Sequence, residues 1–148
     1  MTYRLPPELT VSFEDIDAQH RDIFEHLDAA VDAIALDDSA AARGAVSALG
    51  DTLVGHFTAE ESFMAATHYP ERGRHKAAHD LFMQDFTALT AEMQVAGLSL
   101  PVTHWLRSRI REWVSFHIQV NDAPLGRYLA SKRFRPGAQA AKRAESDR

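Results

Sequence analysis

Eight histidines stand in this chain of 148 residues, well above what its size would lead one to expect. Two pairs, His56/Glu60 and His75/His79, are spaced i,i+4, which stacks both members on one face of a helix. His20, His56, Glu60, His75, His79 and His117 also fall on the apolar stripes of their segments, so a core that buries the stripes buries these groups too. An ionised Glu buried without a partner costs several kcal/mol, and a cation held among these groups removes that cost. A single histidine on an apolar stripe reads more simply as a hydrogen-bonded core residue. Five of them with a Glu, spread over every helical segment, point to a metal site. Imidazole and carboxylate suit iron in either oxidation state, and do not exclude zinc, manganese or cobalt.

The remaining histidines act as a control. His26 lies six residues after His20, about 240° around a helix, and so points away. His104 is thirteen residues before His117, far off its face, and His68 lies in a turn. All three read as surface residues.

Four segments carry helical periodicity and must position the ligands. The first runs Ile16, His20, Ile23, Leu27, Val31, Ile34. The second runs Val46, Leu49, Leu53, His56, Glu60 and Phe63 or Met64. The third runs His75, His79, Phe82, Phe86, Leu89, Met93. The fourth runs Val102, Leu106, Arg109 or Ile110, Trp113, His117 and Val120, with Leu125, Tyr128 and Leu129 beyond. Asp37-Asp38-Ser39 offers N-cap side chains, Tyr69-Pro70 ends the second segment, and Pro101 suits the first turn of the fourth. Links this short favour antiparallel neighbours. The expected fold is all-α: an N-terminal arm over 1–14, an up-down-up-down antiparallel four-helix bundle over 15–131, and a polar basic tail over 132–148.

Asp122 is ambiguous on periodicity. It lies five residues after His117, about 140° around an ideal helix. Pro124 cannot donate to the carbonyl of Val120 and crowds that turn, so a loosened or π-bulged turn would swing Asp122 to the core. The alternative is a solvated residue at a kink.

Composition narrows the function classes. The 45% hydrophobic and 25% charged content is that of a globular domain. The absence of cysteine excludes disulfides, iron–sulfur clusters and thiolate zinc sites. From Lys132 onward six Lys/Arg face only Glu145 and Asp147, so the formal charge of −5 divides into +4 on the tail and −9 on the body. An acidic body argues against nucleic acid as the partner. No apolar run approaches a membrane span, and the N-terminus lacks the features of a signal peptide, which leads us to expect a cytoplasmic protein without membrane insertion.

The ordered set His20, His56-Phe57-x-x-Glu60-Glu61-x-x-Met64, Tyr69-Pro70, His75-x-x-x-His79-x-x-Phe82 and Trp113-x-x-x-His117-x-x-x-x-Asp122 resembles the bacterial hemerythrin-like proteins, from about Ile16 to Leu129. The resemblance implies a non-haem di-iron centre, two iron ions (Fe2+/Fe3+) bridged by an oxo or hydroxo group. His75, His79 and His117 would bind one iron, His20 and His56 the other, and Glu60 and Asp122 would bridge them, which decides for Asp122 as a ligand. The second iron would keep an open position for O2. Phe57, Trp113, Val114 and Ile118 would line an apolar pocket over it. Family members commonly carry a Trp in the arm, whereas Leu9 to Phe13 offers only Phe13.

The function so implied is reversible O2 binding for transport, storage or buffering, with no enzymatic turnover; NO and other small ligands share the binding chemistry. Two alternatives stand beside it. One is an O2 or redox sensing module in signalling, which the short stretch after the bundle disfavours. The other is a di-iron peroxidase, oxidase or NO-handling enzyme. That class would need a second constellation of buried acid or base, and Glu61 and Tyr69 are its nearest candidates. Glu61 reads as a solvated residue about 100° off the ligand face, and no protein partner is named by the sequence.

Overall fold

The computed structural model describes residues 4–137. The outer ends of the expected arm and tail, residues 1–3 and 138–148, lie outside the described residues. Three uninterrupted helices, α1 (Glu14–Ala35), α2 (Ser39–Ala66) and α3 (Arg72–Ala96), are followed by a fourth helical rod over 100–131. The fourth rod is α-helical over Leu100–His104, Ile110–His117 and Ala123–Ser131, with π-turns at Trp105–Arg109 and Ile118–Asp122 between. The fold is a four-helix bundle, and among the described residues there is no strand.

Local chemistry sets the helix ends. Asp37, with φ of 52°, reverses the chain after α1, and Asp38 N–H closes back on the Ala33 carbonyl at 3.0 Å. The Asp38 carboxylate then accepts from Ala41 N–H at 3.0 Å, a free donor of the first turn of α2. α2 ends at Ala66, and the chain turns away at His68, in the left-handed region at φ 53°, with Tyr69 N–H on the Met64 carbonyl. The break therefore comes ahead of the Tyr69-Pro70 step to which the sequence assigned it. Gly97, at φ 65°, ends α3, a conformation that glycine adopts without strain. Ser99 caps the fourth rod through Val102 N–H, with Pro101 in its first turn.

The stripes read from the sequence form the core almost throughout. Ile16, Leu27, Leu49, Leu53, Leu106, Ile110, Leu125 and Leu129 have no measurable exposure. Burying such side chains contributes roughly 1.5–3 kcal/mol each. Val31, Trp113 and Tyr128 are only partly buried, and Val120 is 51% exposed. The π-turn at Ile118–Asp122 holds one residue more than an α-turn and rotates Val120 outward.

The arm turns once at Pro7–Leu9 and buries Leu9 and Val11. Asp17, itself buried, accepts from Val11 N–H at 2.9 Å and fixes the arm to α1. Phe13 packs on Phe63 and Phe134, with ring centres 6.1 and 6.5 Å away. No described helix is long and apolar enough to cross a membrane.

Candidate metal centre

Each helix delivers ligand-type groups from its buried stripe: His20 from α1, His56 and Glu60 from α2, His75 and His79 from α3, His117 and Asp122 from the fourth rod. All seven are buried, none more than 3% exposed. Asp122 reaches the core because Ile118–Asp122 is a π-turn, closed by Ala123 N–H on the Ile118 carbonyl five residues back. Pro124 follows at once and has no N–H to give to an α-helical bond. Of the two readings periodicity left open, the inward one holds. The control residues stay apart: His68 and His104 are exposed, and His26 is partly so.

The seven side chains divide into two overlapping groups. Ligand-type atoms of Glu60, His75, His79, His117 and Asp122 lie within 4.8 Å of one another, as do those of His20, His56, Glu60 and Asp122. The Asp122 carboxylate is split between them. Its Oδ1 lies 3.0 Å from His75 Nε2 and 3.1 Å from His117 Nε2, while Oδ2 lies 2.8 Å from His20 Nε2 and 3.8 Å from His56 Nε2. Glu60 Oε1 stands between the groups, 3.2 Å from His56 Nε2, 3.3 Å from His79 Nε2 and 3.5 Å from His75 Nε2.

The donor set fits metal ions. Both Glu60 oxygens, Asp122 Oδ1 and His75 Nε2 are buried without a hydrogen-bond partner, a costly state that a cation would relieve. His79 Nε2 and His117 Nε2 are 3.1 Å apart. Two nitrogens each ~2.1 Å from one cation and at right angles to each other stand ~3 Å apart.

Without metal, charge within the cluster compensates itself. Burial pulls the His56 imidazole down, but Glu60 and Asp122 override it and hold it up at about 10. Burial likewise opposes His75, which the same carboxylates raise to about 9. Burial pushes Glu60 up, as does Asp122, yet the His56 and His75 imidazoles bring it below its usual value. Asp122 is held well below its usual value against burial, chiefly by His117. His117 is lowered by burial. The two carboxylates and the His56 and His75 imidazoles thus each favour the charged form of the other.

Aromatic rings enclose one side. Phe57 stacks on His79, with centres 4.1 Å apart, and meets His56 at 5.6 Å. Trp113 stacks on His117 at 4.5 Å and on Phe82 at 4.0 Å, and is only partly buried. Both rings therefore lean on the three-imidazole group, with Phe57 alone reaching the other. Val114 and Ile118 are buried beside the ligands in sequence.

Two residues behind the imidazoles of the cluster were not singled out in that place by the sequence. His56 Nδ1–H donates to Gln19 Oε1 at 2.6 Å, and His79 Nδ1–H donates to Glu61 Oε2 at 3.0 Å. Glu61 is therefore not the solvated residue expected: its side chain is 29% exposed and engaged. Its position next to Glu60, in a helix facing His79, was the available signal.

The profile of the hemerythrin HHE cation binding domain matches residues 11–129. A bacteriohemerythrin of Stenotrophomonas maltophilia (strain R551-3) is 27% identical over 115 residues, covering 78% of this chain and 73% of the relative. A hemerythrin-like protein of Naegleria gruberi is 28% identical over 116 residues, covering 76% and 81%. A crystal structure of wild-type hemerythrin shares the fold, with a TM-score of 0.75 and 24% identity over 85% of this chain and 95% of that one. The profile runs from the end of the arm through the four helices, including every residue of the buried cluster, and on that match the chain belongs to the hemerythrin HHE cation-binding family.

Proposed function

We propose that this chain holds two iron ions and binds O2 reversibly, as a carrier, store or buffer of oxygen and not as a catalyst of turnover. The observation that carries the reading is the divided Asp122 carboxylate, with one oxygen toward each group of imidazoles. His75, His79 and His117 would hold one ion, His20 and His56 the other, and Glu60 and Asp122 would serve both. A ferrous pair would supply the two electrons that reversible O2 binding requires.

The protein's part is to shape the site. Five donors gather on one side and four on the other, so the group with His20 and His56 is the one short of a ligand, where a small molecule can enter. Phe57, Trp113, Val114 and Ile118 exclude water from the cluster in this reading, supported by the burial of three of them and by the stacking of Phe57 on His79 and of Trp113 on His117, with Phe57 alone reaching across to His56. Five neutral imidazoles against two carboxylates give little anionic support to high-valent metal, which favours holding O2 over cleaving it.

The test is an optical oxygen titration of the iron-loaded, anaerobically reduced chain. A charge-transfer band that appears with O2 and vanishes when O2 is withdrawn supports the reading. Immediate, irreversible oxidation overturns it.

A further inference from the structure

Glu61 follows Glu60 by one residue, about 100° around α2, and so leaves the inward face. It does not turn to water. Its Oε2 accepts from Nδ1–H of His79, whose side chain is 1% exposed. A neutral imidazole carries one N–H, and a carboxylate can only accept, so the hydrogen of His79 resides on Nδ1. Nε2 then presents a lone pair to the cluster, 3.3 Å from Glu60 Oε1. The other imidazoles are backed differently. His56 rests on the neutral carboxamide of Gln19, and Nδ1 of His20 and of His75 has no hydrogen-bond partner among the described residues. Lys76 stands 3.9 Å from the other Glu61 oxygen, exposed and paired more closely with Asp80 at 2.8 Å.

We infer that Glu61 is a positioning residue for the metal centre: its carboxylate locks His79 in the ligating tautomer and places negative charge behind the three-imidazole group alone. The inference rests on the two-metal reading above. A ligand imidazole whose outer N–H lies on a carboxylate is a stronger donor, and losing such a partner typically costs about 10- to 100-fold in metal affinity. The two metal positions of this bundle therefore differ in ligand number and also in the charge behind their ligands. Gln19 orients His56 in the same way but adds no charge.

The experiment is a cobalt(II) titration of the full-length metal-free chain, read by visible absorption, with nitrogen NMR of the imidazole rings beside it. The native chain should take up two equivalents and show a slowly exchanging Nδ1–H on His79. Glu61→Ala should weaken one equivalent about 10- to 100-fold, leave the other unchanged, and lose the slow Nδ1–H. Glu61→Gln keeps an acceptor and removes the charge, so it should retain the NMR signal while one affinity still falls. A merely structural role would leave the glutamine variant at native affinity, and that result overturns the inference, as does an alanine variant with both affinities and the NMR signal intact. Should the alanine variant fail to fold, the glutamine variant alone carries the test. Fewer than two equivalents in the native chain would overturn the two-metal reading instead, and the His79 signal would still decide whether Glu61 holds that ring.

Discussion

Asp122 Oδ1 lies 3.1 Å from His117 Nε2 although five residues separate the two on one helical rod. A regular α-helix would set them about 140° apart. The π-turn Ile118–Asp122 absorbs one residue more than an α-turn, and Val120 is the residue left facing water. Deleting Val120 should therefore convert the turn to α-helix, with Asp122 four residues after His117 and still facing it. Pro124 would then sit inside a regular helix, at a cost of ~3 kcal/mol, so the deletion belongs in a Pro124→Ala background. Iron per chain should remain at the native value, whereas deleting Ser115 should abolish it. Equal iron loss in both deletion variants would show that the extra residue is not what aligns Asp122.

Glu60 contacts three imidazoles and is fully buried. Glu60→Ala takes from His56 and His75 one of the two carboxylates that hold them up, and removing one member of a buried ion pair costs ~3–5 kcal/mol. Metal-free Glu60→Ala should unfold at markedly lower urea concentration and fail to assemble two irons. His26, partly exposed and outside the cluster, should change stability by no more than ~0.5 kcal/mol when replaced by alanine. Urea midpoints and iron content together decide; iron loss in His26→Ala would refute the assignment of faces.

The same groups set the pH dependence of the metal-free chain. His56 and His75 are raised from 6.5 to about 10 and about 9, so their contribution is complete below pH 6.5 and is lost as pH climbs through those values. His117 is lowered from 6.5 by burial, so below that pH the unfolded chain binds the proton it refuses and stability falls. Glu60 and Asp122, lowered from 4.5 and 3.8, add a further loss in acid. Metal-free protein should be most stable near pH 6.5, which thermal melts across pH 4–10 would show. Metal uptake must displace protons from His56 and His75, so at pH 7 it should release about two protons per chain in a pH-stat titration. A release near zero would contradict the charged imidazoles.

Much of this was legible because a helix repeats. His20, His56, Glu60, His75, His79 and His117 each share a stripe with aliphatic residues that the bundle must bury, so their convergence followed from spacing. Asp122 and Val120 escaped that logic, since a π-turn depends on what the rod packs against and leaves only Pro124 as a local trace. The second π-turn, at Trp105–Arg109, had no such trace. Gln19 and Glu61 were only half legible for a different reason: each adjoins a cluster residue in sequence but sits off the inward face, and only the neighbouring helix shows which imidazole nitrogen it meets.

Gly126 faces the arm so closely that a Cβ there would press into the Val11 carbonyl oxygen and lie 3.2 Å from the Val11 side chain. The oxygen is backbone, and the arm is held behind it by Val11 N–H on Asp17, so the neighbour cannot rotate away. Gly126→Ala should therefore displace the arm and cost ~1–3 kcal/mol, the usual range for overpacking a well-filled core. The contact lies one turn beyond Asp122, on the rod that supplies two residues of the buried cluster. Displacing the arm should leave the ligand geometry in place while loosening its cover. Gly126→Ala should then bind iron at native stoichiometry, lose it faster to a chelator, and be clipped sooner by protease within the arm. Unchanged chelation and proteolysis rates would show that the arm is not held by this contact.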